Sequence, residues 1–241
     1  MNGLLFSQIF DTSFPNGTYA HSYGLEGYVV NPSADELSFP ERVYRYVLRY
    51  LEVVLARGEL PLFFDLAHLA SPFLADPTLI QSKESWIDRA RFYGTKCLAS
   101  LPTLELRTAF ITTGSRTLEL FLDVTPNDLL LAYASAVKLQ NMPPWIWAMI
   151  SALPLDDDDT IDEVAALGCF SSIKTMVINA QRLGALGHRN TQLMLSRFAK
   201  QIPSMIQLAK SIDVEDAINV SMVIEESQYR HVTLTTKLFS T

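Results

Sequence analysis

The sequence predicts an all-α fold, a single globular domain of roughly eight to ten helices. Three observations predict it. Apolar residues recur at helical spacing, as in Val43, Tyr46, Val47, Tyr50, Leu51 and Val54. A capping residue with a nearby proline marks several helix starts, at Ser38-Phe39-Pro40-Glu41, Asp76-Pro77 and Thr125-Pro126-Asn127-Asp128. No convincing strand alternation occurs before the short, Thr-rich Val232–Leu238, and there is no internal repeat, long linker or low-complexity segment.

The elements follow in order. Residues 3–10 read as a short helix. Pro15-Asn16-Gly17 is a turn, because Pro fixes φ and Asn or Gly tolerates positive φ. Thr18 is placed to cap a second helix through Val30, and Asn31-Pro32-Ser33 stops it. On that helix Tyr19, Ser22 and Glu26 lie near one face, and His21 and Leu25 near another. Gly24 inside it costs about 1 kcal/mol against Ala, which suggests a close neighbour. The helix after Ser38 runs to Arg57, with Gly58 as its stop. Leu60–Leu74 carries His68, and a lone His on an apolar helix reads first as a satisfied core group. Asp76-Pro77 opens a helix ending near Ser100-Leu101-Pro102, and Thr103–Leu122 is the next. Glu105 and Arg107 are two apart, so they do not pair on one helix face, while Gly114 permits a close crossing. Helices then run from Thr125 to about Asn141, over Ile161–Leu183, from His188 to about Lys210 with a possible kink at Pro203, and over Asp213–Glu226.

Composition narrows the function classes. The 241 residues carry a net charge of -7 with 19% charged residues, and the pI is near 5.1. This excludes the clustered basic surface that nucleic-acid binding needs. Cys97 and Cys169 fit no CxxC pattern and read as reduced thiols of a cytoplasmic protein. No basic cluster precedes the first apolar run, so no signal peptide is expected. The longest apolar run, Pro143–Leu155, is about thirteen residues, short of the ~20 that a membrane helix needs. The four histidines show no H-E-x-x-H spacing, and there is neither a phosphate-binding G-x-x-x-x-G-K-(S/T) loop nor G-x-S-x-G. No nucleophile with its base and orienter stands at a recognisable spacing. Such groups could converge only in the fold, so their absence is weak evidence against an enzyme, and no cofactor or resident metal is expected. One competing reading is a magnesium-dependent all-α enzyme using Asp158, Asp159 and Asp162. Carboxylates one turn apart share hard cations, but acids at a helix start are already explained by the helix dipole.

Asp11-Thr12-Ser13-Phe14-Pro15-Asn16-Gly17-Thr18-Tyr19-Ala20-His21-Ser22-Tyr23-Gly24-Leu25-Glu26 reads from its chemistry as a loop-to-helix corner packed in a core. The ordered string D-(S/T)-x-F-P-x-G-x-Y-x-H-S-x-G-L-E also resembles the N-terminal signature of the UreF family of urease accessory proteins. Glu105, Arg107 and Gly114 resemble that family's middle helix. Leu186, Gly187 and Gln192 match its P-L-G-Q-x-x-G-Q segment, where Ala185, His188 and Thr191 depart from it. His231, Leu234, Lys237, Leu238, Phe239 and Thr241 sit in register with its C-terminal H-E-x-x-Y-S-R-L-F-x-S, where Val232, Thr235 and Lys237 depart from it.

The resemblance implies a helical domain at 1–229 with a partner-binding tail at 230–241. It further implies a non-catalytic cytoplasmic adaptor of urease maturation, acting as a homodimer. Its partners would be a UreD/UreH-like protein, a UreG-like GTPase and apo-urease, and the outcome nickel insertion. By matched position Tyr19, His21, Ser22, Gly24 and Glu26 belong to the functional face, with Glu105, Arg107 and Gly114, and Lys237, Leu238 and Phe239 to the tail. A His–Ser–Glu cluster would suit a nickel path, since imidazole and carboxylate accept borderline metals. A third reading is a helical interaction module that has left urease work.

Overall fold

The computed structural model describes residues 3–30, 37–155 and 157–240. Among them the regular structure is helical and no strand occurs, as the spacing of apolar residues predicts. The α-helical segments are α1 (Gly3–Ile9), α2 (Leu25–Val30), α3 (Phe39–Arg49), α4 (Leu60–Ala75), α5 (Ile80–Ser100), α6 (Leu104–Val124), α7 (Asp128–Gln140), α8 (Ile146–Ser151), α9 (Asp158–Arg182), α10 (His188–Lys210) and α11 (Met222–Thr233). The expected stop at Asn31-Pro32-Ser33 lies outside the described residues.

α9 packs on α10, α4 on α5 and α2 on α11. Short α8 lies inside the bundle against α4 and α6, with Trp147, Ala148, Met149, Ile150 and Ser151 all buried. Trp86, Trp145, Tyr93, Tyr133 and Phe63 are the bulkiest parts of the core around it. Each such side chain contributes about 1.5–3 kcal/mol by leaving water. Tyr133 also spans α7 and the connection to α8, its hydroxyl accepting from the Trp145 N–H at 2.8 Å.

Gly58 and Pro61 do not end a helix. α3 continues through a π-helical stretch, Tyr50–Glu59, directly into α4 as one rod. The Leu60 N–H bonds to the Leu55 carbonyl, one residue further back than in an α-helix. Pro61, which has no N–H, then follows, and the Arg57 carbonyl four residues before it is satisfied from outside the rod. Gly58 serves a close approach instead. A Cβ there would lie 2.8 Å from Asn219 Cα, and beside it the Ile218 N–H donates to the Arg57 carbonyl at 3.0 Å.

Other expected boundaries move: Asp76 closes α4 and accepts from the Thr78 N–H at 3.0 Å, so α5 starts only at Ile80. Thr125 closes α6, and Asn127 is the cap of α7, accepting from the Leu129 and Leu130 N–H groups at 3.0 and 2.9 Å. The last helix spans Met222–Thr233, not Asp213–Glu226, because residues 217–221 are drawn out along the π stretch. The Thr-rich segment 232–238 is the end of α11 and an irregular tail. Pro203 lies within continuous α10. His68 is exposed on α4, 3.2 Å from Asp158, and is not a core group.

Candidate functional site

The N-terminal signature is broken where a helix is expected. Asn16 Oδ1 accepts from the Thr18 N–H at 3.1 Å and its hydroxyl at 2.9 Å, so Thr18 is held in the turn instead of capping. A single 3-10 turn, Thr18–Ala20, follows. Tyr23 and Gly24 then take positive φ, 54° and 89°, and α2 begins only at Leu25. Neighbouring elements claim the carbonyls that a continuous helix would use. Asn179 of α9 donates to the His21 carbonyl at 2.8 Å, and the Tyr46 hydroxyl of α3 to the Tyr23 carbonyl at 2.7 Å. Gly24 is thus not inside a helix. Its left-handed φ suits glycine, and a Cβ would stand 2.7 Å from both Tyr46 Oη and Gln228 Cγ. Ser22 supplies the missing cap, its Oγ accepting from the Glu26 N–H at 3.3 Å.

Glu26 is the centre of what results. It is 2% exposed. Its Oε1 accepts from the Leu238 N–H at 2.7 Å, and its Oε2 from the Phe239 N–H at 3.1 Å. His231 Nε2 of α11 lies 3.0 Å from Oε2. The imidazole thus completes a carboxyl group that two backbone N–H groups already engage. The Ser240 N–H then bonds to the Ala20 carbonyl at 2.9 Å. Phe239 is 4% exposed and lies under Arg182, whose guanidinium carbon is 4.8 Å from the ring centroid. Arg182 also donates to the Tyr19 carbonyl at 3.2 Å. The signature, the end of α9 and the tail therefore form one polar assembly, with the tail docked and not frayed.

Of the residues expected at the site, Ser22, Gly24, Glu26 and Phe239 meet inside this assembly. Tyr19, 55% exposed, and Leu238, 53% exposed, lie at its surface with Lys237. Glu105 borders it, lining a narrow crevice with Gly24, Gln228 and His231. Arg107 turns away to the Leu101 carbonyl at 2.8 Å. Gly114 lies elsewhere too, against the α7–α8 connection, where a Cβ would be 3.0 Å from the Pro144 carbonyl carbon. Asn179 and Arg182 carry no local signal in the sequence, since their partners lie about 160 residues away.

His21 faces a different environment. It lines a cavity of about 200 Å³ between α6, α8, α9 and the start of α11. Burial and the nearby Arg116 lower its pKa. Glu59, at the end of the π stretch, lines the same cavity. Its Oε2 accepts from Trp147 Nε1 at 2.7 Å. Burial pushes its pKa up to about 7 against that hydrogen bond. Cys97 and Cys169 are buried free thiols with raised pKa, desolvation being the main cause for each. Among the described residues no group of three or more His, Cys, Asp or Glu side chains is placed to hold a metal ion. In the acidic run, Asp157 caps α9, Asp158 pairs with His68 and Asp162 with Lys210 at 2.6 Å. No described helix is long and apolar enough to cross a membrane.

Fold and site together define an all-α domain whose N-terminal turn and C-terminal tail interlock around a buried carboxylate. The sequence profile of the UreF family matches residues 38–199, more than half of the chain, and the chain belongs to that family. It is 25% identical over 241 residues to the urease accessory protein UreF of Bacillus sp. (strain TB-90), covering 99% of both chains. It is 22% identical to UreF of Corynebacterium glutamicum (strain R), over 98% of this chain and 96% of that one. Urease accessory protein F of Oryza sativa subsp. indica is 23% identical over 97% of this chain and 83% of its own.

Proposed function

We propose that this chain is a non-catalytic adaptor of urease maturation, working in the cytoplasm as a homodimer. It joins a UreD/UreH-like protein to a UreG-like GTPase and assists delivery of nickel, as cargo, into apo-urease. Likeness to urease accessory proteins over nearly the whole chain is the observation that carries this reading. The site geometry supports it with a surface suited to a partner. Tyr19, Lys237 and Leu238 stand outward from a tail fixed at Glu26 and Arg182, so little ordering entropy remains to oppose docking there. In this reading residues 230–241 are the partner-binding part. Glu26 acts by holding the tail, since its carboxylate already receives two backbone donors and His231. His21 is the member of the expected nickel path that reaches the cavity.

Co-expression with the host's UreD-like and UreG-like proteins, followed by size-exclusion chromatography with light scattering, tests the proposal. A stable complex containing two copies of this chain is expected. A chain that elutes alone in the presence of both would overturn it.

A further inference from the structure

The cavity has a composition that the adaptor role does not require. Its walls include the faces or edges of Tyr23, Tyr50, Trp145, Trp147, Phe110 and Phe121. Tyr23 and Tyr50 lie together, their ring centroids 5.9 Å apart. Among these rings stands Glu59, while Asp11 and Glu225 also line the cavity. Trp147 engages one of its oxygens, and among the described residues the other accepts no hydrogen bond. No Lys, Arg or His pairs with Glu59 among the described residues. Glu59 is only partly exposed, and a carboxylate largely withdrawn from water without a counter-ion is costly, so proteins keep such groups where a ligand completes them. The backbone that presents Tyr50, Val54 and Glu59 is the π stretch, a rare geometry that recurs at functional sites.

From this juxtaposition we infer that the cavity is a binding site for a small organic ammonium bearing one apolar group. The ammonium would meet the free oxygen of Glu59 and the aromatic faces, and the apolar group would fill the rest. Size agrees: about 200 Å³ exceeds the ~150 Å³ of an apolar cavity known to take up benzene. Charge agrees as well, because desolvated aromatic faces attract cations and a few well-placed polar groups fix orientation. Tyr23 and Tyr50, with Cys97 of α5 and Cys169 of α9, face Glu59 and are held neutral by burial, and the cavity wall also carries the carboxyl groups of Asp11 and Glu225. His21 on the same cavity wall has a lowered pKa, so it too is neutral where Glu59 is ionised. The inference does not rest on the urease reading, since it concerns this chain alone.

Titration calorimetry of the full chain at about pH 8 with benzylammonium, and with benzyl alcohol as its neutral counterpart, tests it. Saturable one-site binding is expected, with benzylammonium about tenfold or more the tighter. Glu59→Gln, whose amide oxygen can still accept from Trp147, should erase that preference and leave benzyl alcohol unaffected. In the wild type the preference should grow as pH rises through about 7, a measurement that needs no variant. Ser172→Phe, which fills the cavity from α9, should abolish binding of both probes. Absence of saturable benzylammonium binding would overturn the inference. So would equal affinity for the two probes, or benzylammonium binding that survives both Glu59→Gln and Ser172→Phe unchanged.

Discussion

Glu59→Gln should stabilise the protein, and by an amount set by pH. Glu59 is held at about 7 against an ordinary 4.5, because burial disfavours its charged form more than the Trp147 bond favours it. The sign follows from proton binding. Between those two values the folded state keeps a proton that the unfolded chain has released, so stability falls as pH rises. The cost is absent below about 4.5, grows through that window and is complete above about 7. A gap of two to three pKa units corresponds to about 3 kcal/mol. Glutamine cannot ionise and retains an oxygen for Trp147. The two proteins should therefore differ by less than about 1 kcal/mol near pH 5, and by about 3 kcal/mol in favour of Glu59→Gln near pH 8. In a chain of this size that is roughly 6–12 °C in melting temperature. Urea unfolding of both proteins from about pH 5 to about pH 8 measures the difference, and titrations elsewhere in the chain cancel. A difference that stays flat with pH, or a variant less stable near pH 8, would refute the reasoning.

The remaining predictions concern the two ends and the glycines. Glu26→Ala removes the acceptor shared by Leu238, Phe239 and His231; hydrogen exchange should show the Leu238, Phe239 and Ser240 amides losing protection while α9 and α10 keep theirs. Gly24→Ala combines a left-handed residue with contacts at 2.7 Å and should cost more than about 2 kcal/mol, whereas Gly184→Ala, at φ 76° in open space, should cost only about 1–2 kcal/mol in the same chemical denaturation. Lys237→Ala with Leu238→Asp changes exposed side chains; the melting temperature should hold within about 2 °C while the co-purified accessory complex is lost.

The helical character of the chain was legible because amphipathic spacing and capping chemistry are local. Thr103 and Asp157 sit at real helix starts and accept from the Leu106 and Thr160 N–H groups. Legibility failed where a distant segment decides the backbone. Gly58 has the look of a helix end, yet its missing side chain makes room for Asn219, about 160 residues on. Thr18 looks like a cap, but the break before Leu25 is held open by Tyr46 and Asn179, which no window around the signature contains. The π stretch left no mark, since its apolar residues suit an α-helix equally well. The candidate site was legible as two patches, the signature and the tail. That Glu26 joins them through the backbone of residues 238 and 239 was not, because backbone donors carry no residue identity. Glu59 was missed for a simpler reason: a single acid beside Gly58 looks like a solvated turn residue until its burial is known.

The bond from Leu238 to Glu26 closes a span of 212 residues. Synthesis delivers Glu26 ahead of Leu238 by 212 residues, a delay of roughly 10–40 s at ordinary elongation rates. Throughout that interval the carboxylate lacks the donors that make its burial tolerable, so the turn, α2 and the cover over Gly24 must wait. A chain interrupted before residue 238 would hold most of its bundle and yet present an unfinished face.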